Sequence, residues 1–403
     1  MIQLTVPTTF TDSFLDKIDV LNSQQKTTGN RVFELYGSLQ YGIFNSARPA
    51  KYLPGISKKA FSRHVQAAQQ HGLRFNYLFN APVYGNQEYT HSGRRALSDL
   101  LTFLVDSGVS SVTVTVPYLA EIINATFPEL EVVISTIGYV DSIRGLKQFQ
   151  RAGAERVVLD VEVNRDFTFL KNAVVKSPIP IELIVNTVCI YQCHYKHNHY
   201  AVAGFGSHDN PGNPGGSPYN QFYLNWCFLE KLSREGEFLK SPWLRPEDMG
   251  LWEDIGITYF KLAGRGLPED EIIRLCRAYL TKQFSGNLLD LLGWPHWQQF
   301  NRCADGSMLP ELDIILDNSK LDGFLDFFAS KTRDCRLGCD DCNHCLKWSK
   351  KALNWCDASL RKHYIENMQR NIQHLITHIP TQQETEKAGQ SWQQQIARQD
   401  MAK

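Results

Sequence analysis

Short apolar runs alternate with amphipathic runs from about residue 30 to about residue 280. The apolar runs are rich in β-branched and aromatic residues, which is typical of strands. The amphipathic runs repeat their apolar residues every three or four positions, which is typical of helices that bury one face. The predicted strands are 31–36, 73–79, 112–116, 131–135, 156–161, 181–185 and 257–262. The predicted helices are 59–71, 95–106, a stretch from 118, a stretch around 143–149, and 269–279.

This alternation predicts an α/β fold in which parallel strands are joined by right-handed βαβ units. Seven or eight such units in about 250 residues favour a closed (β/α) TIM-like barrel. An open, doubly wound sheet is the alternative. No Gly-x-Gly-x-x-Gly follows the first predicted strand, so the sequence gives no support for a dinucleotide site.

The pattern divides the chain into three parts. Residues 1–285 are predicted to form the barrel domain, with an unusually long loop at 189–244 that follows the sixth predicted strand. Loops of that length in compact domains are usually functional, and in a barrel this loop lies at the C-terminal face, where active sites form. Residues 286–357 form a small Cys-rich C-terminal extension, and 358–403 a helical or mobile tail rich in Gln and Glu.

Composition and charge predict where the protein resides in the cell and which partners it binds. Lys and Arg together number 42, as do Asp and Glu, so the net charge is zero and nucleic acid is not an expected partner. No apolar run is long enough to span a membrane, and the N-terminal residues do not resemble a secretory signal. These features predict a cytoplasmic protein. None of its ten cysteines lies in the first 188 residues, and such clustering in a reducing compartment favours metal binding over disulfides.

The first cysteine set is Cys189-x3-Cys193 with Cys227, in the predicted long loop. Thiolates suit iron–sulfur clusters and zinc, so we predict that this set binds a metal cofactor at the catalytic face. Its fourth ligand comes from the C-terminal segment, or one iron stays open for substrate; the sequence leaves both alternatives. Mixed zinc ligation is a further alternative, because the same loop contains several histidines: His194, His197, His199 and His208.

The second set is Cys335-x3-Cys339-x2-Cys342-x2-Cys345. Such tight runs typically place three thiolates on one iron–sulfur cluster and take a fourth ligand from elsewhere, whereas structural zinc usually uses two separated Cys-x2-Cys pairs. We therefore predict one or two [4Fe–4S] clusters in the protein, with zinc as the alternative for this set. The remaining cysteines are Cys303 and Cys356, which are candidate distant ligands, and Cys276, which is predicted to lie in the core.

Charged residues are expected where the predicted strands end. Arg48, Arg165, Lys261 and Arg265 form a candidate cationic group that orients an anionic substrate, because Arg and Lys bind carboxylate and phosphate. Glu34 is predicted to lie at the same C-terminal face.

Several stretches resemble the collagenase-like peptidase family U-32. Trp243-Leu-Arg-Pro-Glu-Asp-Met249, followed by Ile255-Gly-Ile-Thr-Tyr-Phe-Lys-Leu-Ala-Gly-Arg265, looks like the family's "RPEDL … GI … FKIEGR" stretch. Asn186-Thr-Val-Cys-Ile-Tyr-Gln-Cys-His-Tyr-Lys196 is similar to a two-cysteine segment of one subgroup. The resemblance covers roughly residues 30 to 280. Two features depart from it: Ala263 replaces the family's Glu, and the cysteine spacing differs from the commonest family pattern.

The resemblance implies a (β/α) barrel and two functions. Some members are described as proteases, and others carry a [4Fe–4S] cluster and perform oxygen-independent hydroxylation. No Gly-x-Ser-x-Gly or His-Glu-x-x-His motif is present, so the cluster-bearing branch fits better. We predict an iron–sulfur enzyme that hydroxylates, or otherwise modifies by redox chemistry, a peptide or an anionic small molecule. The alternatives are a metal-containing peptidase and a non-catalytic iron–sulfur subunit that docks a protein partner or an electron donor.

Overall fold

The computed structural model describes residues 1–40, 42–48, 53–205, 207, 217–292, 303, 307–330, 335–339, 341–379 and 381. His208 and residues 382–403 of the predicted tail lie outside these ranges.

Eight parallel strands close into a barrel in chain order, which confirms the predicted fold class. All seven predicted strands are present, and the open-sheet alternative is wrong because the first and last strands of the barrel pair with each other. The strands are β1 (Gln3–Pro7), β2 (Arg31–Gly37), β3 (Arg74–Leu78), β4 (Ser111–Val114), β5 (Glu131–Ile134), β6 (Arg156–Val158), β7 (Ile181–Ile184) and β8 (Tyr259–Lys261).

The sequence analysis does not predict β1, the strand that closes the barrel. Gln3 pairs with Arg31 of β2 on one side and with Tyr259 of β8 on the other. Its signal is a short alternation in which Ile2, Leu4 and Val6 are buried. Such a strand is difficult to recognise because it lies before the repeating part of the chain.

Helices surround the barrel, and several begin at a side chain that accepts a hydrogen bond from the first turn, as at Thr11, Ser57, Thr90 and Ser142. The helices are α1 (Asp12–Gln24), α2 (Lys58–Gln70), α3 (His91–Asp106), α4 (Pro117–Thr126), α5 (Ile143–Arg151), α6 (Phe167–Lys176), α7 (Lys196–Phe205), α8 (Ser217–Ser233), α9 (Gly236–Lys240), α10 (Gly250–Glu253), α11 (Glu269–Thr281), α12 (Asp326–Ser330), α13 (His344–Ala352) and α14 (Ala358–Thr377).

The connection between β7 and β8 is largely helical, where the sequence analysis predicts a long loop at 189–244. It contains α7, α8 and α9. The Gly- and Pro-rich stretch 204–218 dominates the sequence pattern there. The signal for α8 is Leu224, Phe228 and Leu232, which recur every four residues and pack against the core.

The C-terminal segment packs against this same connection. It contains a two-stranded antiparallel sheet, β9 (Ile314–Leu316) and β10 (Leu353–Trp355). Helix α13 packs on α9, and α14, the helical part of the predicted tail, packs along α8. The Cys-rich residues therefore lie beside the elements that follow β7. Among the described residues, no helix has the length and apolar character that crossing a bilayer requires.

Candidate active site

The structure brings the three members of the first cysteine set together. Cys189 and Cys193 lie between β7 and α7, and Cys227 lies on α8. Burial raises the pKa of the Cys227 thiol to about 12, and the nearby Cys189 and Cys193 add to the rise. Mutual repulsion between thiolates is the condition that a bound metal cation relieves.

An ion-pair cluster fixes this connection to the end of β6. Lys196 Nζ lies 2.8 Å from Asp160 Oδ2 and 2.7 Å from Glu162 Oε1. The carboxylates come directly after β6, and Lys196 begins α7, three residues after Cys193. The cluster therefore holds the first cysteine set at the C-terminal end of the barrel.

A buried amine lies beside the same cysteines. Lys231 Nζ donates to the Glu237 carbonyl at 3.1 Å and to Ser241 Oγ at 2.5 Å. Burial lowers the pKa of Lys231, whereas the thiolate of Cys227, one helical turn earlier, raises it. The sequence analysis missed Lys231, although its spacing of four residues from Cys227 on a helix was a usable signal.

The second cysteine set is also brought together. Cys335 and Cys339 precede α13, and Cys345 lies in its first turn. Burial raises the pKa of the Cys345 thiol to about 12, and the neighbouring Cys339, Cys335 and Cys342 add to it. All four thiols thus lie close enough to influence one another.

Arg165 lies with the second cysteine set. Its Nε and Nη2 donate to the Trp243 carbonyl at 3.0 and 2.6 Å, and Nη1 donates to the Leu239 carbonyl at 2.7 Å. Its guanidinium stacks 4.3 Å from the Trp243 ring centre and also contacts Phe324 and Phe328. The positive charge of Arg165 lowers the pKa of Cys345 against the effect of burial. Its contacts do not include the other three predicted cations.

The two cysteine sets share a cavity of about 640 Å³. Cys193 of the first set and Cys339 of the second both line it, together with Trp226, Lys240 and Arg336. A second cavity of about 420 Å³ is lined by all four cysteines of the second set. The C-terminal segment therefore forms part of the candidate site and does not lie apart from it.

The other three predicted cations lie around Tyr36, at the C-terminal end of the barrel interior. Lys261 Nζ lies 4.4 Å from the centre of the Tyr36 ring, and the Tyr36 hydroxyl donates to the Leu262 carbonyl at 2.7 Å. The guanidinium of Arg48 donates to the Arg265 carbonyl. Burial raises the pKa of Tyr36 to about 12, while the charges of Arg265 and Arg48 oppose the rise.

The N-terminal half of the barrel interior holds a charge network that the sequence analysis missed. Arg156 Nη2 donates to both Glu34 oxygens at 2.8 and 2.7 Å, its Nε donates to Glu131 at 3.0 Å, and its Nη1 lies 3.7 Å from Glu182. The prediction that Glu34 lies at the C-terminal face is wrong. Glu34 lies in the middle of β2 and points inward, where it also accepts a hydrogen bond from Ser111 at 2.9 Å.

The donor chemistry of both cysteine sets fits an iron–sulfur cluster. Among the described residues, no group of three or more His, Cys, Asp or Glu side chains meets the geometry for holding a single metal ion. A cluster distributes its thiolates over separate iron atoms, so grouped cysteines without single-ion geometry remain suitable ligands. In the second set four thiols are grouped, and in the first set three.

Comparison with known proteins identifies relatives over most of the chain. A family model described as "Peptidase family U32" matches residues 46–283. An uncharacterized protease of Methanocaldococcus jannaschii is 28% identical over 341 residues, which cover 84% of this chain and 94% of that protein. The solved structure of the U32 peptidase Mk0906 is 19% identical, with a TM-score of 0.48, covering 66% of this chain and 95% of the other.

Proposed function

Because this chain belongs to peptidase family U32, we propose that it is an enzyme whose cysteines hold an iron–sulfur centre beside an anion-binding barrel mouth. Its reaction is a redox modification, such as an oxygen-independent hydroxylation, of a peptide or an anionic small molecule. The observation that carries the proposal is the shared cavity, which Cys193 and Cys339 line from opposite parts of the chain.

In this proposal the first set, Cys189, Cys193 and Cys227, holds the catalytic [4Fe–4S] cluster. Such a cluster, when bound, supplies one-electron transfer and, at an iron without a protein ligand, a site for substrate. The ion pairs of Lys196 position the cysteine loop, and Lys231 places a positive charge beside the thiolates. The second set holds a further cluster, and Arg165 lies against it.

The test is anaerobic purification, followed by visible spectroscopy and by assays of iron, sulfide and zinc. We expect a brown protein that contains iron and acid-labile sulfide. Cys193→Ala and Cys342→Ala should each lower the iron content, whereas Cys276→Ala should not, because Cys276 is buried on α11 away from both sets. A colourless protein that contains only zinc after anaerobic reconstitution would overturn the proposal.

A peptidase is the second candidate, favoured by the name of the family and of the Methanocaldococcus relative. It predicts peptide cleavage that survives Cys189→Ala and Cys193→Ala. Thr8 Oγ1 lies 2.7 Å from His64 Nε2, a hydroxyl–imidazole contact, but both side chains are buried. A nucleophile needs access to substrate, so this pair gives the peptidase no support. Failure of the metal-replete protein to cleave a diverse peptide library would exclude this candidate.

A further inference from the structure

A buried lysine at the C-terminal end of β8 has no hydrogen-bond or ion-pair partner among the described residues, although the carboxylates of Glu182 and Glu34 lie near enough to raise its pKa. Lys261 is 6% exposed, its Nζ donates no hydrogen bond to a described residue, and it lies 4.4 Å from the centre of the Tyr36 ring. An ammonium group that leaves water without hydrogen bonds pays a large desolvation cost. Such an arrangement persists in an enzyme when a ligand completes it.

A second cation, the partly buried Arg265, acts on Lys261 electrostatically. Arg265 makes no side-chain hydrogen bond or ion pair with any described residue, and its Nη1 is buried. The turn that carries it contains Gly264 at φ +148°, a conformation that favours glycine, and a Cβ there would lie 2.8 Å from Leu267 Cδ1. The turn before Arg265 therefore favours glycine, and the charge of Arg265 lies near enough to Tyr36 to act on its pKa.

Arg48 adds a third positive charge, and neighbouring hydroxyl groups add hydrogen-bond donors. Arg48 is bound to the Arg265 carbonyl, and its charge acts with burial to lower the pKa of Arg265 to about 10, so Arg265 stays protonated at neutral pH. The buried hydroxyls of Thr5, Ser38 and Ser46 have no hydrogen-bond partner in the described structure. Thr5 pairs in register with Lys261.

We propose that Lys261, Arg265 and Arg48 form an oxyanion subsite that binds a carboxylate or phosphate group of the substrate at the barrel mouth. Guanidinium groups bind such oxyanions through two parallel hydrogen bonds, and an ammonium group adds a point charge. That the bound group belongs to a substrate rests on the proposed function; binding of the anion itself requires no metal. The C-terminal face is where barrels place their ligands.

The test is the thermal unfolding of the full-length protein in a buffer without phosphate or carboxylate. Inorganic phosphate and succinate are titrated separately against sodium chloride of equal ionic strength. We expect one of them to raise the Tm in a saturable way, and the anion that does so identifies the group recognised. Lys261→Met and Arg265→Gln should each raise the half-saturating concentration about tenfold or more. Lys147→Met, which removes an exposed lysine of α5, should leave it unchanged.

Two results overturn the subsite. One is that neither anion changes the Tm of the wild-type protein. The other is that Lys261→Met and Arg265→Gln both respond to the anion at the same half-saturating concentration as the wild type. Arg265→Gln serves as the second variant if Lys261→Met does not fold. The outcome of this anion test can be distinguished from the outcome of the metal test. A colourless protein that binds the anion refutes the iron–sulfur centre alone, and a brown protein that ignores both anions refutes the subsite alone.

Discussion

The two ends of the barrel interior use buried charge in opposite ways. At the N-terminal end, Arg156 is hydrogen-bonded to Glu34 and Glu131 and lies near Glu182. At the C-terminal end, the Nζ of the buried Lys261 and the Nη1 atom of the partly buried Arg265 have no hydrogen-bond partner among the described residues. The paired charges lie on β2, β5, β6 and β7, whereas Lys261 ends β8 and Arg265 follows it.

The contrast indicates that the charges at the N-terminal end of the barrel interior serve stability and those at the C-terminal end serve binding. Charges that satisfy one another hold the strands together, and in barrels the N-terminal face generally serves stability. Charges that lack partners cost stability, and such residues are retained where they bind something. The structure thus suggests which end of the interior meets substrate without any bound ligand.

The largest effect is expected at the paired end, where Arg156→Met would leave the buried Glu34 with only Arg74, 3.6 Å away, and would remove the ion pair of Glu182. Breaking a buried ion pair by removing one partner costs about 3–5 kcal/mol. We expect urea unfolding to show a loss of that size. A loss below about 1 kcal/mol would contradict the structural role. Combining Arg156→Met with Glu34→Gln should recover part of the loss, because one of the two carboxylates that lose Arg156 is then removed.

Lys261→Met should act in the opposite direction at the other end. It removes a buried ammonium group without hydrogen bonds and keeps an apolar side chain of similar length. In a buffer free of phosphate and carboxylate we expect the free energy of unfolding to rise by about 1–3 kcal/mol. A marked loss of stability instead would mean that Lys261 is structurally paired, and the contrast between the two ends would fail.

Tyr36→Phe tests the residue around which the cations lie. The substitution removes the hydroxyl that donates to the Leu262 carbonyl, one hydrogen bond that links β2 to the end of β8. A loss of about 1 kcal/mol is expected in urea unfolding. An unchanged stability would show that water replaces the bond.

The smallest expected effect is a pH dependence of the difference between wild type and Lys261→Met. Burial lowers the pKa of Lys261 below its usual 10.5. The charges of Glu182 and Glu34 oppose this shift, and those of Arg156 and Arg265 add to it. Between the lowered value and 10.5 the unfolded chain holds more protons than the folded one, so wild-type stability rises with pH in that window. The advantage of Lys261→Met should therefore shrink as the pH rises toward 10.5. A constant difference in urea unfolding would show that Lys261 does not titrate there.

The fold was largely predictable because each βαβ unit repeats the same hydrophobic pattern. The exceptions have identifiable causes. β1 lies before the repeating part of the chain, and α8 follows a Gly- and Pro-rich stretch that masks its four-residue repeat. Local patterns cannot show that two distant strands pair, and this pairing closes the barrel.

The candidate site was predictable by residue type and only partly by position. Cysteine spacing grouped Cys189 with Cys193, and grouped the four cysteines of the second set, because these lie close in sequence. It did not show that Cys193 and Cys339 line one cavity, which depends on how α13 and α14 pack against α8 and α9. Arg156 was missed because a charged residue at the start of a strand usually lies at the surface, and Arg165 was grouped with the wrong neighbours because strand order does not specify side-chain direction.

The pairing of β1 with both β2 and β8 also determines when the barrel can close during translation. β1 obtains one neighbour early, but its other edge stays open until β8 leaves the ribosome, about 250 residues later. At about 5–20 residues per second this wait lasts about 10–50 seconds. During that time the unpaired edge of β1 and the charged residues of the unclosed barrel interior are exposed to other nascent chains. The protein is therefore expected to depend on chaperones during translation more than its final, edge-free barrel would suggest.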